Sequence, residues 1–203
     1  GAHPGKYGGG AGQRRPDDLQ IEADHAPGRE HEVVEELQPP FVAPNLVTLE
    51  SAPFSRNDPW LLPNAVNTSG NNVEAHTNML PPDGFGTPGT DECNAALPVD
   101  GDLHACTSSA QTFDYAYDHT LPPNASRRQV AAAVTSLFYM NNYLHDWFYD
   151  AGFDEAAGNA QTSNYGRGGA GGDSIFAEAQ DYTGANNANM STLPDGSSSI
   201  TNM

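Results

Sequence analysis

Seven histidines and 26 acidic side chains raise the question of a metal centre. The helical zinc signature H-E-x-x-H sets two imidazoles one turn apart on one face, with the glutamate between them as general base. His31-Glu32-Val33-Val34-Glu35 supplies only its first half, because Glu35 stands where the second histidine is required. No two of His3, His25, His31, His76, His104, His119 and His145 lie four apart. No metal ligand and no catalytic residue is therefore assigned, and the chain is expected neither to hold zinc tightly nor to cleave protein by itself. Asp100-Gly101-Asp102, Asp114 with Asp118, and Asp150 with Asp154-Glu155 are candidate contributors to a calcium site. None completes a calcium-loop pattern, so they read first as solvated acids, with calcium left open as a cofactor.

Two further patterns lose their chemistry on inspection. Gly166-Arg167-Gly168-Gly169-Ala170-Gly171 matches G-x-G-x-x-G, but a dinucleotide site needs a strand before that loop and a helix after it. Here polar, Asn-rich sequence precedes it and a strand-like run follows, so it reads as a tightly turning loop. His145-Asp146 lies inside a helical pattern, where neighbouring positions point about 100° apart. A catalytic dyad is not expected there, and His145 should instead bond to another loop. Cys93 and Cys106 flank a short turn-rich stretch and predict a disulfide, which stabilises by about 3 kcal/mol. Asn67, Asn124 and Asn189 each begin a glycosylation sequon.

A net charge of −18 bounds the partners. Nucleic acid and anionic lipid are bound mainly through Lys and Arg, and only 8 are present, so neither is an expected partner. No apolar run is long enough to span a bilayer, and membrane insertion is not expected. The sequence starts at Gly1 without a leader pattern, which predicts removal of an upstream segment. Together with the disulfide and the sequons, this suits a secreted, extracellular protein.

The elements that would position these residues follow from periodicity. Residues 1–18, with Gly8-Gly9-Gly10, read as a flexible tail. Residues 19–50 read as an extended segment, with Val33-Val34, Phe41-Val42 and Leu46-Val47-Thr48-Leu49 as short strand-like pieces. Residues 51–203 form the folded domain. Within it, strands are expected near Asn72–His76, Phe113–Tyr117 and Ser174–Ala179. A helix is expected over about 126–150, capped by Asn124 or Ser126 and followed by Gly152. Val130, Val134, Leu137, Phe138, Leu144, Trp147 and Phe148 recur at helical spacing, and the first six of these define its expected sheet-facing side. The fold class is α+β: β-rich and loop-rich, with one long helix packed on sheet.

Several blocks carry a resemblance. Leu137-Phe-Tyr-Met-Asn-Asn-Tyr-Leu-His-Asp146, Gly152-Phe-Asp-Glu-Ala-Ala-Gly-Asn159, Asn164-Tyr-Gly-Arg-Gly-Gly169, Ala177-Glu-Ala-Gln-Asp181 and Asn186-Asn-Ala-Asn-Met-Ser-Thr-Leu-Pro-Asp-Gly196 resemble the fungalysin-type secreted metallopeptidases. The resemblance covers about residues 50–196 and implies the β-rich N-terminal half of a thermolysin-like catalytic domain. It also implies that zinc belongs to a longer family member, on a helix carrying H-E-x-x-H that these residues do not include. Asn187 and Ala188 resemble the upper-rim segment that hydrogen-bonds substrate backbone as an added strand.

Two functions follow as expectations. The first is a fragment of a secreted metalloendopeptidase, without catalytic competence of its own. The second is a secreted structural module that forms fibres by strand exchange, with residues 19–50 as the donor strand. The expected partners are accordingly the missing C-terminal half or other copies of the chain.

Overall fold

The computed structural model describes residues 46–203. The flexible tail, most of the expected strand donor, and the His31–Glu35 half-motif lie outside the described residues. Leu46–Leu49 is described and forms no strand, and Leu46 and Val47 are exposed.

One helix and a four-stranded mixed sheet make the frame. Strand β1 is Val73–Thr77, helix α1 is Arg127–Asp150, and strands β2, β3 and β4 are Ile175–Ala179, Asn189–Ser191 and Ile200–Asn202. The sheet order is β1-β2-β4-β3, with β1 parallel to β2, β2 parallel to β4, and β3 antiparallel to β4 at the edge. The α+β expectation holds, and two of the three expected strands form where periodicity put them. Phe113–Tyr117 does not form a strand. Phe113 and Tyr115 turn partly inward, but no neighbouring strand pairs with this segment, and it is held through side chains. Tyr115 donates its hydroxyl to the Cys106 carbonyl at 2.6 Å, and Arg128 lies over its ring.

Alternation along β1 and β2 gives the sheet two unlike faces. Val73, Ala75, Ala177 and Ala179 join Val130, Ala131, Val134 and Phe138 of α1 in the apolar core. Glu74, His76 and Glu178 point to the opposite face, in register with each other and with Phe176. Small alanines let the helix approach the sheet closely. Gly70 does the same at the helix's middle, because a Cβ there would stand 2.2 Å from the Trp60 carbonyl and against the Phe138 ring.

Ser126 caps α1 by accepting from the Gln129 N–H at 3.2 Å, which selects between the two expected caps. The expected buried face is half right. Val130, Val134 and Phe138 are buried and Leu137 is half-buried, whereas Leu144 and Trp147 are 41 and 56% exposed. Toward its C-terminal end the inward stripe continues as Asn142, His145, Asp146 and Tyr149. Hydrophobic spacing misplaced the face because here the buried positions are polar, and His145, Asp146 and Tyr149 each have a specific side-chain partner.

Candidate functional site

The first polar cluster sits inside the C-terminal half of α1. His145 Nδ1 lies 3.0 Å from Asp146 Oδ1, so the two neighbours do face each other, against the expectation from helix geometry. Asp146 is turned this way because its Oδ2 accepts from Trp60 Nε1 at 2.8 Å and from the Ala52 N–H at 3.4 Å. His145 finds its partner beside it rather than on another loop. The pair is sealed under the chain entering the domain, which makes it a packing device.

The Gly-rich loop is held the same way. Arg167 pairs with Asp58, and its Nε donates to Glu155 Oε1 at 2.6 Å. Tyr149 donates its hydroxyl to the other Glu155 oxygen at 2.7 Å. Burial pushes the Glu155 carboxyl up, but these two donors outweigh it and hold the carboxyl below its ordinary range. The loop follows strain-tolerant positions rather than a phosphate: a Cβ on Gly169, at φ 63°, would meet the Glu155 carbonyl at 2.2 Å. The G-x-G-x-x-G pattern is therefore a turn packed on the 3-10 segment Glu155–Ala157.

Most of the expected calcium contributors are occupied. Asp100 pairs with the buried Arg127, and Asp102 is fully buried, accepting from the N–H groups of Met79, Leu80 and Thr87. Asp154 caps the 3-10 segment through the N–H groups of Ala156 and Ala157. Asp118 accepts from Thr120. A groove of about 640 Å³ is lined by Leu46, Val47, Leu49, Leu61, Leu62 and Phe113 among others, an apolar wall.

The remaining cluster lies on the polar face of the sheet. Glu74, His76 and His104 present ligand-type atoms that all fall within 4.8 Å of one another. β1 places Glu74 and His76, and the segment carrying His104 runs antiparallel beside it, bridging at His76 and His104. The disulfide formed by Cys93 and Cys106, as expected from sequence, ties this segment to the loop bearing Glu92. Glu92 Oε2 thereby reaches His104 Nδ1 at 3.4 Å, while His104 Nε2 lies 3.4 Å from Glu74 Oε1. On the other side, His76 Nε2 lies 3.6 Å from Glu178 Oε1, the residue directly across the ladder. Phe85 packs over both imidazoles, at 5.0 and 4.4 Å between ring centroids. Burial pulls the His104 pKa down, but hydrogen bonds and charge from Glu74 and Glu92 overcome it and raise it to about 9. The hydrogen bond to His104 in turn lowers Glu74.

Sequence reasoning missed this grouping because it searched for histidines one helical turn apart. Two histidines on adjacent extended segments carry no short-range signature; alternation in Glu74-Ala75-His76 was the one available hint. The residues that the sequence did single out are scattered. Asn187 and Ala188 are exposed and immediately precede the edge strand β3. Of the sequon asparagines, Asn124 and Asn189 are exposed, whereas Asn67 is part-buried.

Comparison with known proteins adds the context. The sequence model of the family described as fungalysin metallopeptidase (M36) matches residues 37–203. An extracellular metalloproteinase 5 of Trichophyton rubrum is 37% identical over 158 residues, covering 76% of this chain and 22% of that protein. An extracellular metalloproteinase 10 of Coccidioides posadasii is 40% identical over 151 residues, covering 68% of this chain and 21% of that protein. An extracellular metalloproteinase 4 of Arthroderma otae is 45% identical over 95 residues, covering 47% of this chain and 14% of that protein. The chain thus spans about a fifth of the length of the first curated relatives it matches. A metallopeptidase implies a catalytic metal, and the residues present do not seat one in the helical H-E-x-x-H manner. Helix α1 carries a single histidine, already committed to Asp146.

Proposed function

The chain belongs to the fungalysin family of metallopeptidases, and on that premise we propose that it is the sheet-bearing N-terminal part of a secreted metalloendopeptidase's catalytic domain. Its relatives are named extracellular, the chain is accordingly extracellular, and the Cys93–Cys106 disulfide suits an oxidising compartment. By itself the chain supplies no general base and no helical ligand pair, so it is not a competent peptidase.

The outer side of α1 carries this reading. Met140, Leu144, Trp147 and Phe148 follow i, i+4, i+7, i+8 spacing and are 41 to 56% exposed. A stripe of large apolar side chains on a surface marks a face that another part of the protein covers. In this reading the cover is the remaining portion of the catalytic domain, which would bring the catalytic metal with it. β3 is the exposed edge of the sheet, with Met190 55% exposed, and Asn187 and Ala188 lead into it. An extended peptide added at that edge would be held by backbone hydrogen bonds, and this is the role proposed for Asn187 and Ala188.

The test is proteolysis of casein with zinc supplied. The chain alone should leave casein intact, while the same reading frame extended to include an H-E-x-x-H helix should cleave it in a chelator-sensitive way. Chelator-sensitive cleavage by the chain alone would overturn the proposal.

A further inference from the structure

The polar face of the sheet holds more buried, unpartnered imidazole than packing requires. His76 is 1% exposed, and neither of its ring nitrogens has a hydrogen-bond partner. Glu178 is fully buried, and its Oε1, the oxygen nearest His76, is also without a hydrogen bond. Buried polar atoms are almost always satisfied, and an unpartnered His76 beside the Glu74–His104 pair indicates an absent partner that is itself a Lewis acid or donor.

We propose that Glu74, His76 and His104 form a structural binding site for a zinc-type divalent transition-metal ion. Two imidazoles and one carboxylate suit such an ion, whereas calcium and magnesium take oxygen ligands. The spacing fits. Zinc–ligand bonds of about 2.0–2.1 Å at tetrahedral angles set neighbouring ligand atoms roughly 3.4 Å apart. His104 Nε2 and Glu74 Oε1 already stand at 3.4 Å, and the His76 atom lies within the 4.8 Å that bounds the group. The outer residues are also those of a metal site. Glu92 stands at the far nitrogen of His104 and Glu178 beside His76, and carboxylates behind ligating imidazoles fix ring orientation and tautomer. Bound there, the ion would tie β1 to the disulfide-closed segment that carries His104. Phe85, packed on both rings, would shield it.

The experiment uses the full 203-residue chain after chelator treatment. Titration calorimetry with zinc should show one tightly bound equivalent, with a raised melting temperature, and calcium should give neither. In NMR spectra the imidazole signals of His76 and His104 should shift on zinc addition while those of His3, His25, His31 and His119 stay put. Glu74→Gln, at the most exposed of the three ligands, should weaken zinc at least tenfold, and His119→Asn should change nothing. The NMR result needs no variant and so decides the matter even if Glu74→Gln misfolds. The site is refuted if zinc is not taken up, if the other histidines respond instead, if Glu74→Gln binds as well as the parent chain, or if calcium competes equally.

Discussion

Trp60 donates its indole N–H to Asp146 Oδ2 at 2.8 Å, joining the incoming chain to the polar end of the long helix. Both side chains are buried, and the same carboxylate holds His145 through its other oxygen. Asp146→Ala would strand the indole N–H and the imidazole together. Leaving such groups unpaired costs about 1–3 kcal/mol each, so urea unfolding should show a loss of at least that size. A change under about 0.5 kcal/mol would mean that the pair contributes nothing.

The helix face gives a paired prediction. Phe138 is fully buried against the sheet, and Phe138→Ala should cost about 3–5 kcal/mol. Leu144→Ala, on the outward stripe, should stay within about 0.5 kcal/mol in this chain. Equal losses at the two positions would show that α1 is rotated relative to the sheet.

Those two residues also show how far sequence reasoning reached. The helix, its capping region at Asn124 or Ser126 and the strands β1 and β2 were legible because periodicity, capping residues and flanking glycines all act locally. The inward face of α1 beyond Phe138 was not legible, since its buried residues are Asn142, His145 and Asp146. Asp146 is held there by Trp60 and Ala52, which are remote in sequence, and it in turn partners His145. Phe113–Tyr117 alternates like a strand yet lacks a partner strand, and alternation alone cannot supply one. The disulfide was legible from a cysteine count. The Glu74–His76–His104 group was not, because the sheet assembles it across segments that share no motif.

Glu155 sets an acid-side prediction. Its carboxyl is held below the ordinary value of 4.5 by Tyr149 and Arg167, despite burial. A depressed carboxylate contributes stability that is present above the unfolded pKa and lost as pH falls through the folded one. The stability gap between the parent chain and Glu155→Gln should thus be full above 4.5 and close progressively below it. Unfolding curves across that range check this, and a gap that widens in acid would contradict it.

The Cys93–Cys106 link closes the loop that delivers Glu92 to His104. Replacing both cysteines by serine should cost about 3 kcal/mol and leave the α1–sheet core folded. Melting curves with far-ultraviolet circular dichroism measure both parts. Loss of the helical signal at room temperature would show that the core depends on the link.

In the proposed reading this chain is one part of a larger peptidase domain, whose remainder covers the outer stripe of α1. Sequencing the transcript beyond the Met203 codon tests that most directly. An open frame that encodes H-E-x-x-H within a few tens of codons is the predicted result. A stop codon directly after Met203 would contradict it and leave the exposed stripe to a different partner.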